Sequence, residues 1–182
     1  MRKLLFKGLG ILIFAVIFYI VYTLATTRNH SPQDTVTYTE NGFNIKVIYC
    51  RPYKKDRVIF GSEDEEALQP YGTYWRTGAN EATEIIFKND VKVAGKDLKA
   101  GRYRFYTVPG KEKWAIAFNT ELGQWGYMEP AYEMDVLNAE VPVSYRDTPL
   151  EQFTILLEKS SSDKVNMTLS WDKSEVVIPI EK

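Results

Sequence analysis

The chain has 182 residues, of which 45% are hydrophobic and 14% aromatic, enough to bury one domain-sized core. Its 23 basic and 24 acidic residues leave a net charge of −1, without the basic excess that a nucleic-acid-binding face requires. The single cysteine, Cys50, excludes an intrachain disulfide; the single histidine, His30, excludes within one chain the hydrolase triads that need an imidazole and the common histidine zinc sites.

The first predicted element is an apolar helix. Arg2, Lys3 and Lys7 precede an uncharged run from Gly8 to Thr27. Roughly 20 helical residues at ~1.5 Å each span ~30 Å, the thickness of a bilayer core. Tyr19 and Tyr22 near its far end suit the interfacial aromatic belt. The run is longer than the ~7–15-residue apolar core of a cleaved signal peptide. Thr23 and Ala25 make a poor cleavage site, and no cysteine follows closely enough to be acylated. Residues 1–27 are therefore read as a retained signal anchor, a single transmembrane helix. The basic residues before the span outnumber Arg28 just after it, which predicts a cytoplasmic N-terminus and export of the rest to the periplasm or cell surface. Residues 28–34 read as a polar tether containing His30 and Pro32, and residues 35–182 as the exported domain. The first 30 residues hold four basic and no acidic residues, so the remainder carries 19 basic against 24 acidic and is mildly acidic.

The domain reads as strand after strand. Phe43, Ile45, Val47 and Tyr49 recur with a period of two after the turn signal Asn41-Gly42. Cys50, next in line, is expected as a small buried apolar group. Ser62 to Leu68 is the clearest helical stretch, with Ser62 as N-cap and Glu65 at the capping-box position. Its acidic run Glu63-Asp64-Glu65-Glu66 lacks calcium-loop spacing and reads as a solvated face. Ile85, Ile86, Phe87, Val91 and Val93 predict strand on either side of Asn89-Asp90. Two turns then lead into Tyr103, Phe105 and Thr107, and Pro109-Gly110 precedes Trp114, Ile116 and Phe118. Glu129 to Asp135 reads as a second short helix. Leu137 to Val143, Phe153 to Leu157, Val165 to Trp171 and Val176 to Ile180 are further strands, the last two separated by an Asp172-Lys173-Ser174 turn. About nine or ten strands at short turn intervals imply an all-β fold, an antiparallel β-sandwich of jelly-roll-like topology.

Two stretches mix chemistry in a way that ordinary loops and core strands do not. In the first, Trp75, Arg76, Thr77, Asn80 and Glu81 surround Gly78, whose freedom of φ permits a tight turn. Such a turn brings a guanidinium, an amide and a carboxylate to one spot, and the planar fork of Arg suits a carboxylate, a phosphate or a sugar diol. Trp75 would offer a stacking surface. In the second, Gly123 and Gly126 bracket Gln124-Trp125. Both loops on one end of the sandwich would make a cleft with two indoles and a few convergent polar groups. Rival readings are that Arg76 and Glu81 pair with each other and brace the loop, or that Glu81, with Glu84 nearby, does acid–base work as in glycosidases while Arg76 stabilises developing negative charge. There is no P-loop or dinucleotide fingerprint, and no cofactor or metal is implied.

Arg51-Pro52, Val58 to Gly61, Leu68 to Gly72, the Trp75-to-Glu81 core, Leu98 to Tyr103, Thr107 to Gly110 and Gln124 to Gly126 together resemble the bacterial family filed as domain of unknown function 2911, over roughly residues 45–160. The resemblance implies a secreted or envelope-attached protein and supplies no activity, substrate or catalytic residue. The expectation is a membrane-anchored, exported β-sandwich that binds a small polar or anionic ligand or an envelope partner. The alternatives are a hydrolase-like enzyme using Glu81 and a purely structural envelope module.

Overall fold

A computed structural model describes residues 2–182, apart from the side chains of residues 2–9, 24 and 25. Helix α1 (Arg2–His30) leads into β1 (Gln33–Tyr38) and β2 (Ile45–Cys50), followed by the short β3 (Phe60–Gly61) and β4 (Gln69–Pro70). Then come β5 (Thr83–Phe87), β6 (Val91–Val93), β7 (Lys96–Leu98), β8 (Gly101–Val108), β9 (Lys113–Asn119), β10 (Asp135–Lys159) and β11 (Lys164–Glu181). Of the residues read as a tether, Arg28 to His30 close the helix and Gln33-Asp34 open β1.

Among the described residues no helix is long and apolar enough to cross a membrane. The described side chains of α1 run unbroken only from Gly10 to Thr23, short of the ~20 residues a bilayer core requires. The spanning helix expected over residues 1–27 is thus without support here, and the side chains of Arg2, Lys3 and Lys7 lie outside the described residues. From Gly10 to Tyr22 the α1 residues are exposed, Ile11, Phe14 and Tyr19 at 71%, 71% and 67%.

The all-β expectation holds. Nine strands form one sheet in the order β1-β2-β5-β8-β9-β10-β11-β6-β7, with antiparallel neighbours. The jelly-roll order does not form. Strands β8 to β11 pair in sequence as a meander, and a single strand makes the corner of the sandwich. Residues Asp135 to Pro142 of β10 pair with β9, whereas Val143 to Tyr145, Leu150 and Thr154 to Lys159 pair with β11. Register shifts at Tyr145/Leu150 and Leu150/Thr154 lie in that second half, and such irregularities are how a strand bends from one sheet into the next. The two strands expected at 137–143 and 153–157 are therefore one. The same holds for β11, which runs through the expected Asp172 turn with Asp172 itself at φ 53.

The core follows the period of two. Val47, Ile85, Phe105, Ile116 and Phe118 come from the β1-to-β9 side, and Phe153, Ile155, Met167, Leu169 and Ile178 from the β10–β11 side; all are 0% exposed. Each such side chain contributes roughly 1.5–3 kcal/mol of burial free energy. Cys50 is buried as expected. Both predicted helices shrink to single 3₁₀ turns, Glu63–Glu65 and Tyr132–Met134. Glu65 does accept from the Ser62 N–H at 2.8 Å, but Glu66 turns left-handed at φ 50 and ends the helix.

Candidate binding site

Trp75 forms a two-bond bridge with Thr107 of β8 (2.8 and 3.0 Å). This places its ring inside the sandwich, 5% exposed, stacked on Trp171 at 5.8 Å and edge-on to Phe60 at 5.1 Å and Trp114 at 5.7 Å. The expected stacking platform is thus chiefly a core residue. Thr77 is also structural: it is 0% exposed, donates to Thr107 Oγ1 at 3.1 Å, and its carbonyl accepts from the Thr83 hydroxyl at 2.7 Å. The chain then reverses at Gly78, φ 153, where a Cβ would lie 2.9 Å from the Cys50 carbonyl oxygen. That reversal turns Arg76 and Asn80 outward, both half-buried.

Arg76 and Glu81 do not meet. Arg76 Nη1 donates to the Asn80 carbonyl at 3.2 Å, and among the described residues no carboxylate pairs with it. Burial pushes its guanidinium below the ordinary range, and the nearby charge of Arg104 adds to that. Glu81 instead accepts from Arg28 of α1 at 2.5 Å and from the Cys50 thiol at 3.3 Å. Burial works to raise its pKa, but the hydrogen bonds from Arg28, its own backbone and Cys50, with the Arg28 charge, outweigh burial and leave it below the usual value. Burial pushes the Cys50 thiol up to about 11, with Glu81 adding to the rise. A carboxyl held ionised in this way is unsuited to general-acid work at neutral pH. Glu84, the other carboxylate considered for catalysis, is taken by Arg102, whose Nε lies 2.9 Å away.

The two motifs pack together yet open into separate cavities. Trp125 bridges Glu81 through the backbone, Gly126 N–H donates to the Asn80 carbonyl at 3.1 Å, and the Tyr74 hydroxyl donates to the Gly126 carbonyl at 3.0 Å. Gly126 is needed there, because a Cβ would lie 2.7 Å from both Arg76 Cδ and the Asn80 oxygen. On one side, Glu81, Glu84, Arg102, Gln124 and Trp125 line a cavity of about 360 Å³. Trp125 is 41% exposed, and Gln124 reaches Glu121 at 3.4 Å. On the other side, Arg76 and Asn80 line a second cavity, also about 360 Å³, with Lys55, Arg57, His30 and Gln69 around it and the edges of Trp75 and Trp171 behind. No Asp or Glu lines this cavity. The single cleft with two indoles expected from the sequence is therefore two cavities, one whose charged lining is cations alone and one lined by ion-paired glutamates with Arg102.

Sequence reasoning passed over Lys55 and Arg57. The signal was there: Arg51, Lys54, Lys55 and Arg57 put four cations into seven residues of an otherwise acidic domain. It also passed over Arg104, 1% exposed, which alternates with core positions and so reads as outward-facing. The 120–134 loop covers it. Arg104 donates to the Tyr74 hydroxyl at 2.6 Å and to the Met128 carbonyl, and Glu121 stands 3.6 Å from its Nη1.

No curated protein and no solved structure matches the chain. Residues 31–180 match the family model described as "Protein of unknown function (DUF2911)", a span that takes in β1 to β10, all of β11 but its last residue, and every cavity-lining residue named above except His30, and the chain belongs to that family.

Proposed function

We propose that the protein is a binding module that takes a small anionic ligand in the cavity bounded by Lys55, Arg57 and Arg76, and that α1 anchors it to a membrane with the β domain outside the cytoplasm. One observation carries the binding reading: three cations meet around a cavity that no carboxylate lines. Arg76 is half-buried, and a charge drawn part-way out of water without a counterion is unfavourable, whereas Lys55 and Arg57 stand exposed at the rim. A bound anion supplies the missing partner, and Arg offers it a charge-assisted, forked contact. Trp75 and Thr77 brace the loop, while Arg76 and Asn80 meet the ligand. Glu81, Gln124 and Trp125 form the wall on the opposite side of the loop rather than part of the same pocket.

The anchor reading rests on the uncharged run from Gly8 to Thr27 and on the 29-residue length of α1, which at ~1.5 Å per residue is about 43 Å, close to the ~40–45 Å of a bilayer with its headgroups. The test of binding is calorimetric titration of the full chain in detergent micelles with phosphate and with citrate. Arg76→Ala is expected to weaken binding of the anion that the wild type takes at least tenfold, about 1.4 kcal/mol. Equal affinity in the variant and the wild type would remove the cavity from consideration.

A further inference from the structure

The composition of this cavity narrows its ligand. Resting on the anion-binding reading above, we infer that the anion is a phosphate monoester of about sugar-phosphate size. Three lines of geometry lead there. First, the wall carries the charges of Lys55, Arg57 and Arg76 with no acidic residue among them. A single carboxylate brings one negative charge to three cations, of which Arg76 is half-buried and Lys55 and Arg57 are exposed at the rim. A phosphate monoester brings roughly −1.5 to −2 and three acceptor oxygens at neutral pH.

Second, neutral carbonyls orient the arginines without discharging them. Arg76 is held through Nη1 by the Asn80 carbonyl at 3.2 Å. Arg57 donates from Nε to the Lys54 carbonyl at 3.1 Å and from Nη2 to the Tyr53 carbonyl at 2.5 Å. The forks are pre-set, and their charge is still available to a ligand. Third, about 360 Å³ exceeds what a bare phosphate needs and falls at the small end of ligand cavities, ~300–1,000 Å³. Room therefore remains for the alcohol half of the ester beside Gln69 and the indole edges.

His30 and Ser31 line the same cavity, so it opens at the foot of α1. With α1 in a bilayer, the mouth lies at headgroup level, and the ester can come from a soluble sugar phosphate or from a lipid with a monoester headgroup.

The full chain in detergent micelles is titrated with glucose 6-phosphate, inorganic phosphate, glucose and citrate, and the chain in nanodiscs is titrated with glucose 6-phosphate with and without phosphatidate in the discs. Glucose 6-phosphate is expected to bind and glucose not to, with Arg57→Ala and Arg76→Ala each weakening binding at least tenfold. Arg57 is exposed, so its variant reports on the ligand rather than on folding. Citrate binding without phosphate binding would overturn the monoester and leave the anion-binding reading standing; no anion binding would overturn both. Competition by phosphatidate discs supports the monoester with a lipid source, and undiminished glucose 6-phosphate binding in those discs supports it with a soluble source.

Discussion

Within Trp75-to-Glu81, neighbouring residues have opposite fates, and the divide follows from the Trp75–Thr107 bridge and the reversal at Gly78. Trp75 stacks in the core and Arg76 faces a cavity, so their substitutions should act on different observables. Trp75→Ala is expected to remove about 3–5 kcal/mol, a fall in Tm of roughly 10 °C for a chain of this size. Arg76→Met should leave Tm unchanged or raise it, because it removes a half-buried charge that has no carboxylate partner. Thermal unfolding of the two variants, followed by circular dichroism, checks both. A fall for Arg76→Met comparable to that for Trp75→Ala would assign Arg76 to bracing. Composition alone marks this stretch as special, because an indole, a cation and a carboxylate seldom share one loop. What composition does not contain is partner choice. Glu81 takes Arg28, which lies 53 positions away in sequence, and only the approach of the α1 end to the loop before β5 makes that pair.

The long strands β10 and β11 show how an element can be read correctly residue by residue and still be divided wrongly. Alternation predicts 137–143 and 153–157 well, but the pattern lapses over 144–149, where every residue is exposed, and a lapse in period looks the same as a loop. The strand nevertheless continues, because pairing with β11 holds to Tyr145 and resumes at Leu150 across a register shift. Strand β1 was missed for the opposite reason: its residues alternate only between exposed and half-buried, as an edge strand permits, and no apolar face announces it. In β11, Asp172 holds φ 53 within a continuous strand. Asp and Asn tolerate this left-handed conformation, whereas other L-residues lose roughly 1–2 kcal/mol there. Asp172→Val is expected to lower Tm by about 2–8 °C, and Asp172→Gly to match or exceed the wild type. Equal Tm for the Val and Gly variants in a denaturation series would show that the conformation carries no strain.

At the scale of the whole molecule, the proposed anchor and the sandwich meet at one place: Arg28 reaches Glu81, and Asn80 Nδ2 donates to the Ser31 carbonyl at 3.3 Å. The anchor is checked by alkaline carbonate extraction of membranes from expressing cells. The full chain is expected to stay in the pellet, and a chain lacking residues 1–30 to be released; release of both would withdraw the anchor. The order of pairing in the sheet also has a consequence in time. The β6–β7 hairpin pairs with itself as soon as it is made, but its outer partner is Ile180 and Glu181 at the far end of β11. A growing chain therefore completes β1, β2, β5, β8 and β9 while Val91, Val93 and Leu98 still lack their cover. The sheet is finished only when β10 and β11 have been made, so until then the nascent chain carries open edges at β9 and β6, each a row of unpaired N–H and C=O groups.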